Sequence, residues 1–214
     1  VAMVIFTLQS SAAVEWDIPK DFLMSVNLSN FYGILKNAKN SDLITLSKGK
    51  EDKLKITLSG KTIREFNIPI IKDFEREIKI PDLRFKADVK LPSSLFDETI
   101  AEADEVGETV RFEITKDKFT ILSVGDMSDF RATIREDSDV KISYIEDVHA
   151  KYAIEYLKKF SNKISDTLLL SFSKEYPLNL CYELKDKITL RFILAPRVEN
   201  DWLWTFYPAK NWQN

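Results

Sequence analysis

The chain has 214 residues, 44% of them hydrophobic and 30% charged, so it can bury the core of one large or two smaller domains and is not a disordered segment. Its formal net charge of -3 argues against a strongly basic nucleic-acid binder, and its five glycines form no Gly-rich phosphate loop. The single cysteine, Cys181, rules out an intrachain disulfide and fits a reducing compartment, and no apolar run reaches the roughly 18 residues of a membrane span.

The order of elements is a repeat. At the start, VAMVIFTLQ and AVEWDI are expected to be the last two strands of a unit whose first strand and helix are missing. The alternating FLMSVNL follows. Phe31, Ile34, Leu35 and Ala38 then recur on one helical face, and DLITLSKG, KLKITLSG and TIREFNIPI read as three strands. That is one βαβββ unit. A second begins at RFKADVKL. Its helix opens at Pro92-Ser93-Ser94, with Ser94 and Asp97 as a capping box and Phe96, Thr99, Ile100 and Ala103 as the apolar stripe. The strands TVRFEITK, KFTILSVG and SDFRATIRE complete it. A third starts at VKISYI. Its helix is expected near Ala150, with Ala153, Tyr156, Leu157 and Phe160 inward, followed by TLLLSFS, PLNLCYEL and KITLRFIL. Two units make one α+β domain. Two prolines and a mixed-charge run at 68–83 mark the connector between domains.

Chemistry for catalysis is sparse. His149 is the sole histidine and reads as solvated or capping, Cys181 as a strand residue, and no Cys/His set has zinc spacing. No enzyme activity, cofactor or metal is expected.

Three stretches carry a resemblance: RFILAPRVE at 191–199, KDFEREIKIPDLRF at 72–85, and VNLSNFYGILKNAKNSDLITL at 26–46. Together they resemble the DNA sliding clamps of the proliferating cell nuclear antigen family, in an archaeal, N-terminally shortened form. The resemblance implies an α+β, two-domain processivity fold. An N-terminal domain would occupy 1–70, a connecting loop 71–82, a C-terminal domain 83–199 and an aromatic tail 200–214. It implies no catalysis. Instead a homo- or heterotrimeric ring encircles duplex DNA without sequence preference and docks DNA polymerase, flap nuclease, ligase and clamp loader inside the cell, in the nucleoid of an archaeon or the nucleus of a eukaryote. The alternative is a clamp-like decoy that binds clamp subunits or clients without encircling DNA. Intact upstream sequence with a Lys-rich helix would favour the ring.

Residue by residue, the DNA-facing candidates are Lys36 and Lys39 in the first helix and Lys151, Lys158, Lys159 and Lys163 around the third. Ordinary helix solubility is the competing reading. The second helix departs from the family, with Asp97, Glu98, Glu102 and Asp104 and no Lys or Arg at its exposed positions, which weakens DNA binding. Either membership of a heterotrimer or a shortened chain would account for the departure. Subunits would pair through two charged edge strands, one carrying Thr62, Arg64, Phe66 and Ile68, the other Phe130, Ala132 and Ile134. The partner groove maps to Ile78, Ile80, Pro81, Pro177, Ile193, Ala195, Pro196 and Val198, with plain core as its competing reading. In the tail, Asn200, Leu203, Phe206 and Tyr207 resemble the family's client motif with Asn for Gln, and the last three share one helical face. An appended extension and a flap packed on the sheet stay open for the tail.

Overall fold

The computed structural model describes residues 2–20, 22–71, 80–116, 118–161 and 164–197. They form two compact units: residues 17–81, and residues 82 onward together with 1–16. No described helix is long and apolar enough to cross a membrane.

The smaller unit is a three-stranded antiparallel sheet of β2 (Leu43–Lys48), β3 (Lys53–Ser59) and β4 (Ile63–Pro69), with one helix, α1 (Leu28–Leu35). Strand β3 alternates strictly, so Leu54, Ile56 and Leu58 share one face and are buried. The expected helical stripe of Phe31, Ile34, Leu35 and Ala38 packs on that face together with Ile68. Asn27 caps α1, its side-chain oxygen accepting from the Asn30 amide at 2.9 Å. The expected strand FLMSVNL is reduced to one bridge, Val26 to Ile70.

The larger unit holds two sheets. One has the order β10-β6-β7-β8, built from β6 (Thr109–Thr115), β7 (Lys118–Val124), β8 (Asp129–Arg135) and β10 (Val148–Ala153). The other has the order β1-β13-β12-β11-β5-β9. Its strands are β1 (Ala2–Leu8), β5 (Ala87–Pro92), β9 (Lys141–Tyr144), β11 (Thr167–Phe172), β12 (Leu178–Leu184) and β13 (Ile188–Leu194). Helices α2 (Ser93–Asp104) and α3 (Ile154–Phe160) bury Phe96, Ile100, Ala103, Ile154, Leu157 and Phe160 in the shared core. Phe112 is the hub of that core. It meets Phe119 and Tyr152 at 5.4 Å each, Phe172 at 6.0 Å and Phe96 at 6.2 Å.

Four further sequence expectations change. AVEWDI forms no strand: a 3-10 turn at Ser10–Ala12 ends the run, and Val14 and Trp16 are exposed. Strand β1 was expected in an N-terminal domain spanning 1–70, yet it pairs along all seven residues with β13 in the larger unit. An alternating apolar strand needs a ladder for its backbone groups, and β13 offers one. Third, the segment expected to open the third helix near Ala150 is strand β10. Val148, Ala150 and Tyr152 alternate inward against β6, and the helix begins only at Ile154. Last, the Ser94 and Asp97 capping box does not form. Pro92 is the N-cap and contributes no side-chain bond, and the Ser93 amide and hydroxyl donate instead to the carbonyls of Asp166 and Ser165.

Candidate functional site: helix faces, edge strands and the end of the last hairpin

On the helix side of the larger unit, α2 and α3 are clasped by polar groups. Lys158 pairs with Asp104, and the Ser161 hydroxyl donates to Asp97 at 2.6 Å. Lys159 lies 4.0 Å from Glu155 one turn back and 5.4 Å from the Tyr156 ring centre. Two of the expected DNA-facing lysines are thus engaged with carboxylates of α2 and α3, while Glu98 and Glu102 on α2 and its C-cap Glu105 stay exposed. Lys151 is not on a helix. It sits in β10 opposite Arg111 of β6, because the β-period of residues 148–153 wins over the helical reading. In the smaller unit Lys36 caps the C-terminus of α1 and Lys39 follows, both exposed. Lys163 lies outside the described residues.

The expected edge strands are edges. Among the described residues, strand β4 pairs with β3 alone in its sheet, and β8 with β7 alone. Their burial patterns match position by position: Arg64 and Phe66 half-buried with Ile68 buried, and Phe130 and Ala132 half-buried with Ile134 buried. Thr62 precedes β4 and is exposed. Arg64 also works within its own unit, pairing with Asp42 and donating to the Asn37 carbonyl at 3.1 Å. That ion pair pins β4 to the turn before β2. Gly60, between β3 and β4, allows this close approach, because a Cβ there would collide with the Asp42 carboxylate.

Of the groove candidates, Pro177 and Ala195 flank the Leu178 and Leu194 pair at one end of the β12–β13 ladder, next to half-buried Pro196. Ile193 is buried and sits between Asn179 and Met3 in the register. Tyr176 packs edge-on against Phe85 at 5.9 Å beside this end, a neighbour that the sequence reading did not single out. Ile80 and Pro81 are exposed residues of the other unit. Ile78, Val198 and the tail residues Asn200, Leu203, Phe206 and Tyr207 lie outside the described residues.

Among the described residues, no group of three or more His, Cys, Asp or Glu is placed to hold a metal ion. His149 is a half-buried strand residue opposite Glu113 rather than a helix cap. Burial pushes the Cys181 thiol up despite nearby Arg191, which disfavours the reactive thiolate.

Comparison with known proteins gives consistent results. Residues 79–197 match the family model described as proliferating cell nuclear antigen, C-terminal domain. The chain is similar to the DNA polymerase sliding clamp of Thermococcus gammatolerans, with 30% identity over 203 residues, covering 93% of this chain and 82% of the relative. It is similar to that of Nanoarchaeum equitans, with 33% identity over 204 residues, covering 92% and 82%. Its fold is similar to the crystal structure of PCNA from Thermococcus kodakaraensis, with a TM-score of 0.82 at 24% identity, covering 92% of this chain and 82% of that one. The α+β architecture and these relatives agree: the chain belongs to the proliferating cell nuclear antigen family of DNA sliding clamps.

Proposed function

We propose that this chain is a sliding-clamp subunit: a non-enzymatic processivity factor that joins other clamp subunits around duplex DNA and holds replication and repair enzymes there. The observation that carries the reading is the match to archaeal DNA polymerase sliding clamps across 93% of the chain. Its place of action is the cell interior, at the nucleoid of an archaeon.

The assembly reading is supported by the strand order. With AVEWDI not a strand, β1 closes the truncated unit and β4 the first complete one, as β8 and β13 close the second and third. Strands β1 and β13 form an antiparallel ladder of seven pairs within one chain. The same pairing between β4 of one subunit and β8 of the next uses the two remaining equivalent edges, and Thr62, Arg64, Phe66, Ile68, Phe130, Ala132 and Ile134 line it. The partner groove is the end of the β12–β13 hairpin, with Pro177, Ile193, Ala195 and Pro196. The DNA-facing set is Lys36, Lys39, Lys158, Lys159 and Lys163.

The clamp reading is tested on circular plasmid DNA. A closed ring is topologically trapped and survives a high-salt wash, then is lost when one cut linearises the plasmid. Loss from circle and line at the same salt overturns it. The acidic α2 face favours a second reading, a clamp-like module that binds subunits or clients without encircling DNA. In that case light scattering of mixtures with related subunits shows complexes that never acquire salt-resistant retention.

A further inference from the structure

The ladder between β1 and β13 is a template for a ladder between copies of the chain. Strand β4 matches β13. Phe66 lies opposite Ile56 and Ile68 opposite Leu54 in one hairpin, as Phe192 lies opposite Leu180 and Leu194 opposite Leu178 in the other. Strand β8 matches β1 when their last inward-facing residues, Ile134 and Leu8, are aligned, which sets Phe130 at the place of Val4. Within the chain, Val4 lies opposite Phe192. Copied to β4 of one subunit and β8 of the next, this register lays 62–68 against 128–134. It puts Phe66 opposite Phe130 of the partner subunit, Arg64 opposite the partner's Ala132, and Glu65 opposite the partner's Arg131.

Charge points to the same register. The outward-facing residues of β4 include Ile63, Glu65 and Asn67, and those of β8 are Asp129, Arg131, Thr133 and Arg135. A slip of one residue would set inward faces against outward ones. A slip of two in one direction brings Glu65 against the partner's Asp129, a like-charge pair that destabilises a ladder. A slip of two in the other brings Glu65 against the partner's Thr133, with no cation directly opposite. The next cation, Arg135, lies four residues further along β8. Both members of the pair are accessible. Glu65 is exposed and holds Lys55 through one carboxylate oxygen at 2.5 Å. Arg131 is exposed, and its side chain enters no ion pair or hydrogen bond among the described residues.

We infer that the occupant of this junction is a second copy of the chain, and that Glu65 with the partner's Arg131 sets its register and specificity. This rests on the reading that β4 and β8 are the subunit edges. The Glu65 carboxylate then bridges Lys55 of its own sheet and the guanidinium across the junction. On the inward side, the small Ala132 leaves room for Arg64, which Asp42 holds in place. The two phenylalanines meet as a cross-strand aromatic pair.

The test is charge exchange, read by sedimentation velocity of the full chain over a dilution series at low salt. Circular dichroism checks that each variant folds. Glu65→Arg and Arg131→Glu each set like charges face to face and weaken self-association about tenfold. High salt shrinks both losses by screening. The double variant Glu65→Arg, Arg131→Glu restores an opposite pair and returns the dissociation constant to within about threefold of the parent. The double variant Glu65→Arg, Arg135→Glu does not recover. Where the parent self-associates, unchanged single variants, no recovery in the Arg131 double, or equal recovery in the Arg135 double overturns the inference and leaves the assembly reading standing. A parent that assembles only with a related subunit does the same. A parent that forms no complex with itself or with related subunits overturns both.

Discussion

Tyr152 and Tyr182 are both buried in the larger unit, and their hydroxyls differ. Tyr152 donates to the Tyr176 carbonyl at 2.8 Å, whereas among the described residues nothing bonds the Tyr182 hydroxyl. Removing one partner of a buried bond costs the desolvation of the other, so Tyr152→Phe lowers stability by about 1 kcal/mol while Tyr182→Phe is neutral or slightly stabilising. Urea midpoints of the two variants check this, and equal losses would refute it. Burial raises both phenol pKa values, with the Asp97 charge adding to the effect at Tyr182. A folded-state pKa above the unfolded one gives stability that is fully present below the unfolded value near 10.0 and is lost as pH rises past it. The urea midpoint therefore falls above about pH 10, and less so in Tyr182→Phe. A midpoint independent of pH through that range would contradict the assignment. The burial of Tyr182 was legible from its alternating strand, whereas that of Tyr152 was not, because its segment was expected to open a helix; the Tyr152 hydrogen bond was not legible either, because partners 24 residues apart meet only after folding.

Strands and helices show where periodicity suffices and where it fails. The stripes of α1 and α2, and the strands of the two hairpin runs before residue 136, were readable because the apolar spacing alone separates period 2 from 3.6. The segment 148–153 misled because His149-Ala150-Lys151-Tyr152 fits both periods, and only the ladder to β6 decides between them. FLMSVNL and AVEWDI alternate yet lack a full ladder, so alternation alone did not make them strands. The edge strands yield a test of assembly. Ile68 is core, so proline there would unfold the small unit rather than report on subunit contact. Along β8, adjacent residues alternate between backbone groups aimed at β7 and groups aimed outward. Of Ala132→Pro and Thr133→Pro, one therefore removes an outward donor and breaks the oligomer while leaving circular dichroism intact. An unchanged mass by light scattering for both variants would refute pairing through β8.

For the whole molecule, charge sets the expected DNA behaviour. Duplex binding is weak and free of base preference, with a salt slope near −0.9 per phosphate neutralised. Lys36→Glu with Lys159→Glu reduces it further. Lys158 is the poorer probe, because reversing it also breaks the clasp to Asp104. Salt-insensitive or sequence-selective binding would refute this. The tail gives a separate test: deleting residues 201–214 raises affinity for a client peptide if the client-like motif competes for the groove, and equal titrations with and without the tail refute that role. The sequence by itself determined the βαβββ repeat, the α+β class and the family, because each rests on local periodicity or on a contiguous motif such as LAPRV. Only the tertiary structure decided that β1 joins β13 and that Lys151 faces out from a sheet. Those facts depend on register between strands far apart in sequence, and register is fixed by the packing of the whole core rather than by any one segment.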